Sequence, residues 1–317
     1  MKKAIIIGSR GQDGQYLFQN LLKKNYEVIG LDLNTVDSAS SRIKKTIDIL
    51  RSKQVSHLLK QQKPDEVYYL AAFHQSSQDK ADNDAEVFKK CLDVNVRGLF
   101  NFLEDIRRYS PMTRLFYAAS SHIFGQPLCP VQDEKTPLQP HCIYGITKTA
   151  GLNLCRFYRQ THSVFASVGI LYNHESPLRS PQFVSQKIVQ TAIAIKHKRE
   201  KKLVIGDLKV KIDWGYAADY VEAMRRILQL PQAGDFIISS GRAHTIEEFV
   251  KEVFALLQLD WRSFVEENPL LITKKLKNNL VGDHRKLTQA TGWRPTVDLK
   301  GLIKIMVMEG LKNDAQK

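Results

Sequence analysis

The segment Ala4-Ile-Ile-Ile-Gly8-Ser-Arg-Gly11-Gln-Asp-Gly14 constrains this chain more than any other stretch. A continuous apolar run that ends on glycine reads as a buried parallel strand. Gly8, Gly11 and Gly14 follow at the spacing of a tight turn that opens into a helix. The first glycine allows the turn and the second lets backbone approach a pyrophosphate. The third lets the helix pack on the strand, and the helix N-terminus adds N–H donors and partial positive charge. A chain that starts this way has to cover both faces of a parallel sheet, so helices must alternate with strands.

The downstream pattern meets that requirement. Tyr16, Leu17, Leu21 and Leu22 give a helical face, and strands are predicted over 27–33, 66–71, 114–120 and 163–172. Helices are predicted over 48–62, 84–108 and 144–160 between them. The alternation predicts an α/β, doubly wound parallel sheet. After about residue 175 the pattern breaks into a helix over 183–199 and shorter mixed elements. With 317 residues, the chain exceeds the roughly 250–300 at which single cores stop growing. We expect a dinucleotide-binding domain over 1–175 and a smaller mixed α/β substrate region over 176–317. No repeat or Pro/Gly-rich linker separates them, so the two should interleave.

Charge points to a phosphorylated or polyanionic partner: 47 Lys and Arg against 33 Asp and Glu leave a net +14. The basic run 196–202 lacks the interleaved aromatics and the module of a nucleic-acid binder, and reads as a solvated helix end. No apolar stretch approaches a membrane span, and the apolar run after Lys3 stops at Gly8, too short for a signal peptide. Cys91, Cys129, Cys142 and Cys155 form no C-x-x-C and read as free thiols of a reducing compartment. These features predict a soluble cytoplasmic protein.

Asp32 ends the second predicted strand, at the place where a carboxylate accepts hydrogen bonds from an adenosine ribose diol and repels a 2′-phosphate. No arginine directly follows it, which favours NAD over NADP. Asp48 reads either as a contact to the adenine amino group or as a helix N-cap. Tyr144-Gly-Ile-Thr-Lys148 places a phenol and an ammonium on one helix face. A lysine cation lowers a nearby phenol from about 10 toward neutrality, which suits it to acid/base work on a sugar or alcohol hydroxyl. Ser120, at a strand's C-terminal edge, offers the second hydrogen bond to that hydroxyl.

Together these residues resemble the Rossmann-type extended short-chain dehydrogenase/reductase group, the NAD-dependent epimerases and dehydratases. The segment 8–17, Tyr69-Leu-Ala-Ala72, Tyr172-Asn-His-Glu-Ser-Pro177, Phe183-Val184 with Lys187-Ile188, and the segment 213–224 are similar to GDP-mannose 4,6-dehydratases. So are Gly282-Asp283 and Gly292-Trp293-x-Pro295, and the likeness runs from residue 4 to about 300. It implies an enzyme of polysaccharide biosynthesis that oxidises C4 of a GDP-hexose or GDP-heptose. It implies a dinucleotide held by Gly8, Arg10, Gly11, Gln12, Asp13, Gly14, Asp32, Asp48, Ile49, Leu70, Ala71, Ala72, Tyr144 and Lys148. Catalysis falls to Ser120, Ser121, His122, Tyr144 and Lys148. The GDP-sugar falls to Asn173, Phe183, Val184, Lys187, Gly206 and Lys211. A homodimer or homotetramer is implied through helices 84–108 and 144–160, with no metal, nucleic acid or membrane.

The chain departs from that family at three places. Ser120-Ser121-His122 stands where the family has Ser/Thr-Ser-Glu, Asp32-Leu33-Asn34 where it has arginines for NADP, and Ile212 beside Lys211 where it has an arginine. Oxidation at C4 needs only the tyrosine, lysine, serine and NAD, whereas elimination needs an acid. The sequence therefore ranks a C4 epimerase or 4-dehydrogenase first. A GDP-mannose 4,6-dehydratase-type lyase with His122 in the glutamate's place comes second. A catalytically inactive NAD-binding module is the reading from another class, and the intact Tyr144/Lys148 pair argues against it. His74, Cys142, His174 and Glu175 read as loop-positioning or packing residues.

Overall fold

In β1 (Lys3–Ile7), Ile5 and Ile7 point into one apolar cluster and Ala4 and Ile6 into another. An unbroken apolar run is the result of a strand covered on both faces. The computed structural model describes residues 1–33, 44–73, 83–271 and 280–316; Asn34 and His74 lie outside the described residues. The chain continues through α1 (Gln12–Lys23), β2 (Glu27–Asp32), β3 (Lys44–Thr46), α2 (Ser52–Gln62), β4 (Glu66–Tyr69), α3 (Asp84–Leu92), α4 (Leu99–Tyr109) and β5 (Arg114–Ser120). Then come α5 (Ile143–His162), β6 (Ala166–Leu171), β7 (Asn173–Glu175), α6 (Val184–Lys196), β8 (Leu203–Ile205), β9 (Lys211–Tyr216), α7 (Ala217–Ile227) and β10 (Asp235–Ile238). The last elements are β11 (Ala243–Thr245), α8 (Ile246–Leu256), β12 (Val265–Glu267), α9 (Arg285–Thr291) and α10 (Leu299–Ala315).

Seven strands form one parallel sheet in the order β10-β6-β5-β4-β1-β2-β3. From β1 the chain runs outward through β2 and β3. It then returns to β4 on the other side and proceeds outward again. The topological switch point therefore lies between β1 and β4, where ligands of such sheets bind beyond the strands' carboxyl ends. The last strand of this sheet, β10, comes from beyond residue 175. Its exposed edge is covered locally, because Glu134 Oε1 accepts the Ile237 N–H at 2.9 Å.

A third apolar cluster draws on α6, α8 and α10 with β8 and β9, all from 188–307. Beside it, β7 pairs in parallel with β9, and β11 pairs antiparallel with β9. No described helix is long and apolar enough to cross a membrane.

Several predicted elements differ from those observed: the helix expected from 48 starts at Ser52, the strand expected to 71 ends at Tyr69, and the helix expected to 199 ends at Lys196. The helix expected over 84–108 is broken by a π-helical turn, Asp93–Gly98. The Tyr69 hydroxyl donates to Val94 O at 2.6 Å and the Tyr117 hydroxyl to Asn95 O at 3.2 Å. Hydroxyls from β4 and β5 thus take carbonyls that the widened turn releases. The strand expected from 163 starts at Ala166, because Ser163 ends α5 in the left-handed region, at φ 54°.

Candidate active site

The glycine turn lies at the switch point. Gly8 has φ 86°, and a Cβ there would sit 2.8 Å from Ala71 N. The Leu70–Ala72 segment thus abuts the turn and leaves no room for a side chain. At Gly14 a Cβ would overlap Gly8 O, so α1 lies directly on the strand's end. Gly11 differs, since only Gly8 O, at 3.4 Å, would lie near its Cβ. It is the N-cap of α1 and makes no side-chain cap, so the first-turn N–H groups are left uncapped beside a glycine whose Cβ position is nearly clear. Such a helix end fits a pyrophosphate. Asp32 Oδ2 accepts the Arg10 N–H at 3.2 Å and Oδ1 the Leu33 N–H at 2.8 Å, which fixes the carboxylate beside the turn. Asp48 Oδ1 accepts the Leu50 N–H at 3.0 Å, closing a turn ahead of α2. The Ile49 side chain is buried in the core.

The side chains of Gln12 and Asp13 bind the β7 segment. Gln12 Nε2 donates to His174 O at 3.0 Å, and its Oε1 accepts from the Ser176 hydroxyl at 2.7 Å. Asp13 Oδ2 lies 2.8 Å from His174 Nε2, while His174 Nδ1 lies 2.7 Å from Tyr172 O. Both partners are acceptors, so both ring nitrogens carry protons and the imidazole is cationic. The ring also stacks on Tyr220 at 4.6 Å. Burial alone would lower the His174 pKa, but the Asp13 charge and hydrogen bond outweigh it and raise it. Burial would likewise raise Asp13, yet the His174 charge and hydrogen bond hold its carboxyl below the usual value.

This pair predicts a pH window for stability. The His174 contribution is complete below about pH 6.5 and is lost as pH rises through its raised pKa. The Asp13 contribution is present above about pH 4 and is lost as pH falls through its lowered pKa. Thermal denaturation of His174→Gln should show a deficit of about 3 kcal/mol between those limits, narrowing on both sides. A deficit that does not vary with pH would contradict the charged pair.

On the other side of the switch point, β5 ends at Ser120. Its hydroxyl oxygen accepts the His122 N–H at 3.3 Å and so starts the short 3-10 turn Ser121–Phe124; Ser121 is buried. The His122 ring meets the Tyr144 ring edge-on at 5.9 Å between centroids. Lys148 is 1% exposed, donates to Ala118 O at 2.7 Å, and lies 5.6 Å from the Tyr144 ring centre. The structure therefore brings Ser120, His122, Tyr144 and Lys148 to one edge.

The electrostatics differ from the expectation that Lys148 draws the phenol toward neutrality. Burial pushes the Tyr144 phenol up, with the Arg179 charge opposing it. Burial also pushes the Lys148 ammonium down to about 7, with Cys91 and Cys155 opposing it. A buried lysine loses its own charge before it can tune a neighbour.

The residues expected to hold the sugar nucleotide lie on the adjoining elements. Asn173 is in β7, opposite Trp214 of β9. Phe183 is the N-cap of α6, without a side-chain cap, and Val184 and Lys187 lie in a first turn that holds no acidic residue. Such a helix end accepts phosphate. Lys187 is half-buried; Gly206 follows β8, and Lys211 opens β9 exposed.

Arg179 joins the site without having been singled out in the sequence. Its Nε lies 3.1 Å from Glu175 Oε2, its guanidinium lies 3.4 Å from the Phe183 ring centre, and its charge acts on Tyr144, Asp13 and His174. The available signal was that no other residue between 176 and 186 is charged. Asn95 is the other: fully buried in the π-turn, it donates from Nδ2 to Thr147 Oγ1 at 3.0 Å and ties that turn to α5.

Known proteins resemble the chain over nearly its whole length. A family model described as GDP-mannose 4,6 dehydratase matches residues 5–306. The GDP-mannose 4,6 dehydratase 2 of Arabidopsis thaliana is 35% identical over 98% of this chain and 87% of the relative. The GDP-mannose 4,6-dehydratase of Vibrio cholerae is 31% identical over 98% and 94%. Among solved structures, the dTDP-glucose 4,6-dehydratase of Bacillus anthracis in complex with NAD has a TM-score of 0.85 at 19% identity, covering 99% of this chain and 98% of that one. The Thermus thermophilus UDP-glucose 4-epimerase complex with NAD has a TM-score of 0.83 at 22% identity, covering 98% and 99%. At those identities the structural likeness establishes the fold.

Proposed function

Because this chain belongs to the GDP-mannose 4,6-dehydratase family, we propose that it oxidises a GDP-hexose at C4 and then eliminates water across C5–C6. His122 takes the place of the family's glutamate. The observation that carries this reading is the position of His122, edge-on to Tyr144 at 5.9 Å on the turn that Ser120 starts. The sequence ranked epimerase or 4-dehydrogenase outcomes first because a carboxylic acid is missing. The family match over 5–306 and a titratable ring against Tyr144 favour the lyase instead.

NAD is the cofactor we assign. Asp32 is fixed beside the glycine turn by two backbone N–H groups, where its charge repels a 2′-phosphate. NAD is also named in the descriptions of the Bacillus and Thermus structures. The clear space at Gly11, with the α1 N–H groups, would hold the pyrophosphate; the Asp13–His174 pair would keep the β7 segment against it. When bound, NAD supplies a hydride acceptor for C4 and, reduced, a hydride donor for C6.

The chain's residues handle protons. Tyr144 accepts the proton of the C4 hydroxyl while Ser120 hydrogen-bonds the same oxygen. Arg179 favours the phenolate at that moment, since a positive charge near a phenol lowers its pKa. The C4 carbonyl acidifies C5–H. His122 accepts that proton and delivers it to the C6 hydroxyl, which leaves as water; C5 regains a proton as C6 is reduced, matching the one that Tyr144 took from the C4 hydroxyl, so no co-reactant is consumed. A histidine, with an ordinary pKa of about 6.5, is suited to both halves of that transfer. The α6 N-terminus with Lys187 would meet the diphosphate.

Incubation of the purified chain with NAD and GDP-mannose tests this reading by product mass. A product lighter by one water is expected. A product lighter by two hydrogens, or one of unchanged mass with inverted C4, would overturn it.

A further inference from the structure

We propose that Cys142 is a positioning residue for His122: its sulfur holds the Nδ1 side of the ring, so that proton exchange with the sugar runs through Nε2. The inference rests on the dehydratase reading above. Its starting point is a chemical difference between the residue types. A carboxylate has two equivalent oxygens and no tautomers. An imidazole that does the same work has two unlike nitrogens, and the hydrogen bond at one decides what the other does. A histidine in this position therefore needs a partner that the glutamate did not.

Cys142 meets that need. It is the N-cap residue of α5, in extended conformation, and its sulfur accepts the Gly145 N–H at 3.4 Å. The same sulfur lies 3.8 Å from His122 Nδ1. The two segments are locked together, since a Cβ on Gly145 would come within 2.6 Å of His122 O. A thiol is a weak cap compared with the oxygen side chains of Asn83, Thr245 and Asp298, which start α3, α8 and α10. It has another property that the elimination uses, because its sulfur can accept as well as donate. For Nε2 to take the C5 proton the neutral ring must carry its proton on Nδ1, and the sulfur accepts from Nδ1–H in the neutral ring and in the cation alike.

The test reads water loss and C4 oxidation in the same samples of wild type, Cys142→Ala and Cys142→Ser, with GDP-mannose and NAD across a pH series. In Cys142→Ala the ratio of water loss to C4 oxidation should fall on the order of 10- to 100-fold, as on removing a group that orients a histidine. Solvent deuterium should enter C5 correspondingly more slowly. Cys142→Ser keeps a donor and acceptor in place and should recover most of the ratio, with a displaced pH profile. An unchanged ratio and profile in Cys142→Ala would overturn the proposal, as would Cys142→Ser matching Cys142→Ala. If Cys142→Ala does not fold, a Cys142→Ser profile identical to wild type overturns it. Failure of the underlying reading looks different, because wild type itself would then form no dehydrated product, and both ideas fall.

Discussion

Tyr144→Phe should slow C4 oxidation by about 10²- to 10⁴-fold, the contribution of a positioned acid/base, with little change in thermal stability. The phenol is the group that reaches the C4 hydroxyl in this account. Phenylalanine keeps the ring that packs against His122 and loses only the oxygen. Appearance of reduced nicotinamide absorbance in a single turnover with GDP-mannose measures the step. A loss of less than about tenfold would remove Tyr144 from the chemistry.

His122→Ala should separate the two halves of the reaction. In the proposed reaction, oxidation at C4 draws on Tyr144, Lys148 and Ser120, whereas water loss draws on His122. Water loss should therefore fall by about 10²- to 10⁴-fold, oxidation should fall much less, and the 4-keto sugar should accumulate before dehydration. His122→Glu restores a carboxylate and should recover dehydration. Equal losses in both half-reactions would show that His122 shapes the site rather than transferring protons, and a wild-type rate of water loss in His122→Ala would dismiss it.

The parts of the fold and site that were legible in the sequence are set by local sterics or periodicity. The turn at Gly8 needs positive φ, and the alternation of apolar runs gives a parallel sheet without any tertiary information. Tyr144 and Lys148 share a face because they are four residues apart on one helix. What was not legible depends on contacts made across the chain. The π-turn at Asp93–Gly98 is held by hydroxyls from β4 and β5. Gln12 and Asp13 meet His174 and Ser176 across more than half the sequence, so a turn that reads as a cofactor loop also anchors the β7 segment.

Burial was the other missing quantity. It depresses Lys148 and raises Tyr144, which reverses the simple expectation drawn from their spacing. The absent glutamate had ranked the epimerase and 4-dehydrogenase outcomes first, although the likeness in sequence runs from residue 4 to about 300. In the proposed reaction the histidine supplies the proton carrier at that point, and its edge-on contact with Tyr144 is what the spacing of Ser120 and Tyr144 alone could not show.

GDP-mannose carrying deuterium at C4 tests the central claim most directly. Incubated with the chain and NAD, it should give a product that has lost one water and carries the deuterium at C6, located by mass spectrometry and NMR. A sugar that retains its water and keeps deuterium at C4 with inverted configuration, or a 4-keto sugar that has lost the deuterium without losing water, would contradict it.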